Sequence, residues 1–252
     1  MPTTSPADPW SSVADDWGRY WGTFARPVWE PLVRTAAIGH GTRVLDVGCG
    51  TGELLEHLQE LGARPAGVDP ASRMVELARA RAVGADVRLG DFERLPFDDG
   101  AFGALLAVNA VQFAADQERA LAEAARVLVP GGTLGLAGWA ERAKNDLDAI
   151  NVALAAADDE EPPDDGPLRV EGGLADLLRT AGWEVLDDGV VPVPWRARHD
   201  TDLVRGILFG EDESTIADLA PVVVAAAAPF RRPDGTYRLV NAFRWAVTRR
   251  PD

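Results

Sequence analysis

The chain has 252 residues, 46% of them hydrophobic, enough to bury a substantial core in one large domain. Its formal net charge of −15 opposes binding to a phosphate backbone, and no locally basic groove offsets it, so a nucleic-acid partner is disfavoured. The one cysteine, Cys49, cannot form an internal disulfide, and His40, His57 and His199 have no zinc-ligand spacing, so no metal is expected.

Residues 1–10 carry neither a basic start nor an apolar run, and the longest apolar stretch, residues 220–230, is interrupted by Pro221 and Pro229. We therefore expect no signal peptide, no membrane span and a reducing, cytoplasmic setting, with the chain a monomer or homodimer. Near the N-terminus Val13, Trp17, Tyr20, Trp21, Phe24 and Val28 recur at roughly helical intervals, which predicts an aromatic stripe packed on something.

From Arg43 onward, short apolar runs alternate with helical patterns, the signature of an α/β sheet with helices on both faces. The predicted strands are 43–47, 65–68, 87–89, 104–108, 133–137, 183–186 and 243–248. Thr51, Ser72 and Asp116 are the expected caps of the first three intervening helices, and Pro130-Gly131-Gly132 the turn into the fifth strand. The acidic, proline-containing run 158–167 reads as an exposed loop, and 192–234 as a second insertion before the final strand. This divides the single domain into an N-terminal helical cap (1–39), a cofactor-binding core (40–139) and acceptor-side insertions with the last strands (140–252).

The first strand ends in Val44-Leu45-Asp46-Val47 and runs into Gly48-Cys49-Gly50-Thr51-Gly52 before a helix. Three close glycines let backbone approach a ligand where a Cβ would clash, and several cofactors use that geometry. The dinucleotide pattern needs glycine or alanine where Glu53 stands, and a phosphate-cradling loop needs a lysine that this region lacks. Asp46, two residues before Gly48, repels a pyrophosphate but attracts ammonium or sulfonium charge. Asp69 and Asp91, past the second and third strands, stand where a ribose diol and an adenine would need polar partners.

Together these residues resemble the class I S-adenosylmethionine-dependent methyltransferases, specifically the small-molecule branch. The resemblance runs through residues 44–52, Gly67-Val68-Asp69-Pro70-Ala71-Ser72-Arg73-Met74, Gly90-Asp91-Phe92-Glu93-Arg94-Leu95-Pro96-Phe97 and Arg126-Val127-Leu128-Val129-Pro130-Gly131-Gly132, and covers about residues 40–139, with weaker echoes at 174–185 and 237–249. It implies a Rossmann-like, doubly wound seven-stranded sheet whose last strand is antiparallel and inserted beside the sixth. It also implies S-adenosylmethionine as cofactor, S-adenosylhomocysteine as its product, and a biosynthetic methyl transfer to an O-, N- or C-nucleophile, natural-product and quinone-like acceptors included. The resemblance further implies Asp46, Gly48, Gly50 and Asn109 near the methionine end, Asp69 on the ribose hydroxyls and Asp91 with the backbone of Phe92 on the adenine, with Cys49, Pro70 and Met74 as further cofactor contacts. Asn109-Ala110-Val111-Gln112 lacks the adjacent prolines of enzymes that methylate nucleic-acid amino groups, and Gly103 replaces a common aspartate outside the cofactor shell.

Methyl transfer is a displacement that needs alignment in a dry pocket, and a base only when the acceptor must lose a proton. His199, in the second insertion, is the candidate base. Tyr20 is a candidate cofactor contact from the N-terminal cap, and Trp17, Trp21, Gln112 and Trp139 are candidate acceptor contacts. Two alternatives keep the same motifs: non-transfer chemistry such as cyclisation or isomerisation, and a non-catalytic cofactor-binding protein.

Overall fold

The computed structural model of the chain describes residues 9–162 and 164–250. Its centre is one seven-stranded sheet in the order β3-β2-β1-β4-β5-β7-β6. Strands β1 (Arg43–Val47), β2 (Arg64–Asp69), β3 (Asp86–Leu89), β4 (Phe102–Val108) and β5 (Leu128–Trp139) run parallel. The last strand, β7 (Tyr237–Arg249), lies antiparallel between β5 and β6 (Glu184–Ala197). Helices cover both faces of β1 and β4, so Val44, Leu45, Val47 and residues 104–107 are all buried and read as continuous apolar runs rather than alternating ones.

Three of the four connections between the parallel strands carry a helix, α3 (Glu53–Glu60), α4 (Ser72–Arg81) and α5 (Gln117–Val127), whereas β3 reaches β4 by a loop. Asp116 caps α5 as the sequence indicates, its Oδ1 accepting the Arg119 N–H at 3.0 Å. Thr51 does not cap α3. That position falls to Gly52, which needs φ of +90° to turn the chain, while the Thr51 hydroxyl bonds the Glu53 carboxylate at 2.6 Å. Ser72 is the first residue inside α4 rather than its cap, and Ala71 takes the extended cap position.

The aromatic stripe spans two helices, α1 (Pro9–Tyr20) and α2 (Arg26–Thr35), because the chain turns over residues 21–25 and Pro27 opens the second helix. Both late strands are much longer than their apolar runs. β6 continues through Pro192 and Pro194 to Ala197, paired with β7 along its length. It can, because it is the outermost strand and a proline's missing N–H costs no ladder bond on that edge. The second insertion is therefore shorter than expected and holds α8 (Asp200–Ile207) and α9 (Glu213–Ala227).

The first insertion holds α6 (Leu147–Ala157) and α7 (Gly173–Thr180). Between them the acidic loop is anchored at one end, where the Asp165 carboxylate accepts the Arg142 N–H at 3.0 Å and faces Arg169 at 3.2 Å. Pro221 lies inside α9 and does not interrupt it. The segment Glu213–Phe230 has the length and composition to cross a membrane, and here it packs against α6 and α8.

Candidate active site

In an open parallel sheet, ligands bind at the carboxyl ends of the strands where the strand order reverses, here between β1 and β4. Two joined spaces open there. The larger, about 360 Å³, runs from Gly48 and Gly50 past Asp69, Pro70 and Met74 to Asp91 and Phe92. The smaller, about 70 Å³, lies behind it against Asp46, Cys49 and Glu53 and is walled by Trp17, Trp21, Phe24, Trp29 and Phe243. Gly48, Gly50, Trp17, Val108 and Asn109 line both.

The floor is the turn after β1, where Gly48, Gly50 and Gly52 all have positive φ (+71°, +52° and +90°). Two of these glycines are also required by packing. A Cβ on Gly48 would stand 2.6 Å from that of Ala110, and one on Gly52 would stand 2.8 Å from the Ala78 Cα. At Gly50 the nearest side-chain atom is the Trp17 Nε1, 3.6 Å from where a Cβ would sit, so this peptide faces the space itself. The turn is held from behind: Gly50 N–H donates to Asp69 Oδ2 at 2.9 Å, and Arg81 donates to the Thr51 carbonyl at 2.9 Å and pairs with Glu53 at 2.9 Å.

Three carboxylates surround this floor. Asp46 is 2% exposed, has no hydrogen-bond partner among the described residues and faces the smaller space. Burial, with repulsion from Asp69 and Glu53, pushes its carboxyl up to about 8. Burial also raises Asp69, opposed by the N–H groups of Ala71 and Gly50 that its two oxygens accept. The thiol of Cys49 is pushed well up by burial and by Asp46 and Asp69, so it is an inert wall rather than a nucleophile.

The roof comes from α1. Trp17 stacks on Trp21 at 6.2 Å and meets Trp10 edge-on at 5.3 Å, and Trp10 in turn meets Phe113 at 5.7 Å. Trp21 is fixed by an indole N–H bond to the Gly206 carbonyl at 2.7 Å and by stacking on Trp195 at 5.1 Å. Sequence reasoning misses Trp10, Phe113, Trp29 and Phe243. Only Trp10 carries a usable signal, lying seven residues before Trp17 and so on the same helical face.

The structure thus brings Trp17, Trp21, Asp46, Gly48, Cys49, Gly50, Asp69, Pro70, Met74, Asp91, Phe92 and Asn109 to one cleft. Tyr20, Gln112, Trp139 and His199 are not among its lining residues. Tyr20 lies on the α8 side of α1, where its carbonyl accepts the Trp195 indole N–H at 2.8 Å. Trp139 packs between Phe24 and Phe243. Gln112 is exposed but bonds the Asn109 Oδ1 at 2.7 Å, and so acts on the cleft through Asn109, a residue at φ of +56°.

His199, the base expected from the sequence, caps α8 instead. Its Nδ1 accepts the Asp202 N–H at 3.2 Å, and its side chain is 58% exposed. The lone pair that a base needs is used by the cap.

An orphaned buried carboxylate beside a glycine floor fits a ligand that brings its own ammonium or sulfonium charge. The paired oxygens of Asp69 keep lone pairs free for hydroxyl donors. Among the described residues no metal-binding group of His, Cys, Asp and Glu forms. The residues present fit S-adenosylmethionine.

Comparison with known proteins finds methyltransferases. Residues 45–136 match the family model described as a methyltransferase domain. An uncharacterized methyltransferase of Mycobacterium tuberculosis is 44% identical over 94 residues, 37% of this chain and 38% of that protein. The malonyl-[acyl-carrier protein] O-methyltransferase of Yersinia pestis is 37% identical over 116 residues, 46% of this chain and 43% of that protein. The alignments thus span about two fifths of these relatives' length.

Among solved structures, a candidate methyltransferase from Bacillus halodurans superposes with a TM-score of 0.61 at 18% identity, covering 88% of this chain and 98% of that one. A chain from the complex of the Haloferax volcanii Trm112 methyltransferase activator with a candidate methyltransferase gives 0.59 at 26% identity, covering 98% and 100%. Residues 45–136 thus match a methyltransferase domain, and the fold around them is shared with these solved structures.

Proposed function

We propose that the chain transfers a methyl group from S-adenosylmethionine to a small-molecule acceptor. The observation that carries this reading is Asp46, a 2%-exposed carboxylate that lines the smaller space and has no hydrogen-bond partner among the described residues. The cofactor, when bound, supplies a methyl group on a cationic sulfur that becomes neutral as the methyl leaves.

The chain's own residues do the rest. Asp46 holds the ammonium end, and Asp69, fixed by two backbone N–H groups, receives the ribose hydroxyls. Asp91 and Phe92 flank the far end of the larger space, where the adenine would lie. Trp17 stands over Gly50 and meets Trp10 edge-on, so the two rings shield the turn from water on that side. Asn109, held by Gln112, stands at the joint where acceptor and methyl would meet. The lone, buried Cys49 supports a reducing, cytoplasmic setting.

The name of the Yersinia relative raises a malonyl thioester as acceptor, but that molecule carries a free carboxylate into a cleft that has no cationic side chain among its lining residues. The test is incubation with methyl-labelled cofactor and an acceptor panel. Label in the acceptor, matched by S-adenosylhomocysteine release, supports the reading. Conversion of an acceptor with the methyl retained on the cofactor would assign non-transfer chemistry instead, and binding without any turnover would leave a binding protein.

A further inference from the structure

S-adenosylmethionine carries a carboxylate on the same carbon as its ammonium. With the ammonium at Asp46, the carboxylate must lie beside the smaller space, which Asp46 and Glu53 already line. Among the described residues no arginine, lysine or histidine lines either space. An anion placed between carboxylates without a cation depends on N–H donors.

The glycine turn does not supply them. The N–H groups of Gly48 and Cys49 both donate to the Val68 carbonyl, at 2.8 and 3.1 Å. Gly50 N–H donates to Asp69 at 2.9 Å, and Gly52 N–H to the Cys49 carbonyl at 3.0 Å. The side chains with N–H donors along the smaller space are Trp17, Trp21, Trp29 and Asn109. Trp21 already donates to the Gly206 carbonyl at 2.7 Å. Asn109 is tied through its Oδ1 to Gln112 and reaches the space from the β4 side. Trp29 lies against His57, with 5.3 Å between ring centres.

Trp17 differs from its neighbours. Trp21 and Trp195, in the same aromatic cluster, each donate their indole N–H to a carbonyl, at 2.7 and 2.8 Å. The Trp17 indole N–H donates to no acceptor among the described residues, although packed indoles ordinarily find one. Its Nε1 lies 3.6 Å from where a Cβ on Gly50 would stand, directly over the turn. The helix that carries it is held there. A Cβ on Gly18 would come within 3.1 Å of the Thr51 Oγ1, and Asp15 pairs with Arg73 on α4 through bonds of 3.0 and 2.9 Å. The donor is therefore in place before a ligand arrives.

Resting on the cofactor assignment above, we infer that the Trp17 indole N–H donates a hydrogen bond to the carboxylate of the bound cofactor. Asp46 and Trp17 then hold the two charged groups of its amino-acid end from opposite sides of the turn, one from the floor and one from the roof.

The test compares S-adenosylhomocysteine with its decarboxylated analogue, which keeps the adenosine, the sulfur and the ammonium, by calorimetry on the full chain. Trp17→Phe keeps an aromatic ring and removes the N–H. It should weaken S-adenosylhomocysteine about threefold to fivefold, the net worth of one hydrogen bond, and leave the analogue's affinity unchanged. Trp29→Phe should change neither. In the wild-type chain carrying isotope-labelled tryptophan, the indole N–H resonance that Trp17→Phe removes should move downfield with S-adenosylhomocysteine and not with the analogue. Equal weakening of both ligands, no weakening of either, a selective loss in Trp29→Phe instead, or a Trp17 resonance that responds alike to both ligands overturns the assignment while leaving the cofactor reading intact. Absence of S-adenosylhomocysteine binding to the wild-type chain defeats the cofactor reading, and this assignment with it.

Discussion

Replacing Asp46 by asparagine should make the ligand-free protein more stable while removing its affinity for cofactor. The carboxyl, ordinarily near 3.8, is pushed to about 8 in the fold. A raised acid pKa means that the folded state holds a proton the unfolded chain releases between those values. The associated stability is therefore intact below pH 3.8 and lost as pH rises toward 8. The full cost of keeping this group buried is about 4 kcal/mol at pH 7 and about 2 kcal/mol at pH 5, from roughly 1.4 kcal/mol for each tenfold change in proton affinity.

Asp69 and Glu53 share the repulsion and relax when Asp46 is neutralised, so about half of this, ~2 kcal/mol at pH 7, should be recovered in Asp46→Asn. For a chain of this size that is a rise in Tm of roughly 4–8 °C. Thermal unfolding without ligand at pH 5 and pH 7 reads it directly. A variant that melts lower than wild type, or whose advantage is the same at both pH values, would refute the reasoning. The companion measurement is binding. Wild type should release about one proton on taking up S-adenosylhomocysteine at pH 7, detected as a dependence of calorimetric heat on buffer ionisation enthalpy. Asp46→Asn should bind at least tenfold more weakly and release none.

Three further outcomes follow from the geometry. Trp17→Ala, which removes the ring over Gly50 and its contacts to Trp10, Trp21 and Phe209, should weaken S-adenosylhomocysteine binding about tenfold by fluorescence or calorimetry, with Trp17→Phe intermediate. Gly52→Ala combines a disfavoured φ of +90° with a Cβ 2.8 Å from the Ala78 Cα, and should cost about 2–4 kcal/mol in urea unfolding. His199→Ala should lose about 1 kcal/mol of stability with the α8 cap but keep kcat and its pH profile, measured with whatever acceptor is identified.

The floor of the cleft was legible because it depends on local chemistry. Asp46, the three glycines, Asp69 and Asp91 each sit at a strand end, and their spacing alone places them on one edge of a sheet. Strand lengths were less legible. β6 and β7 extend far beyond their apolar runs because they pair with each other, and Pro192 and Pro194 argue against a strand until the outer position of β6 is known.

The aromatic walls of the cleft were hardest to read, since they are assembled by tertiary packing. His199 and Trp139 are as plausible as any residue by position, yet one caps α8 and the other fills an aromatic cluster under α2. Phe113 and Trp29 carry no spacing signal that separates a cleft wall from ordinary core. The balance of charge in the cleft also escapes the linear sequence, because arginines near the site point away from it, as Arg81 does toward Glu53.

The central claim, that the turn after β1 and its carboxylates form a cofactor site for S-adenosylmethionine, is tested most directly by calorimetric titration of the wild-type chain with S-adenosylhomocysteine, alongside ATP and NAD. Saturable binding of S-adenosylhomocysteine at one site, with no heat from either pyrophosphate-bearing nucleotide, is the predicted result. Binding of ATP or NAD at comparable affinity, or no binding of S-adenosylhomocysteine, would contradict it.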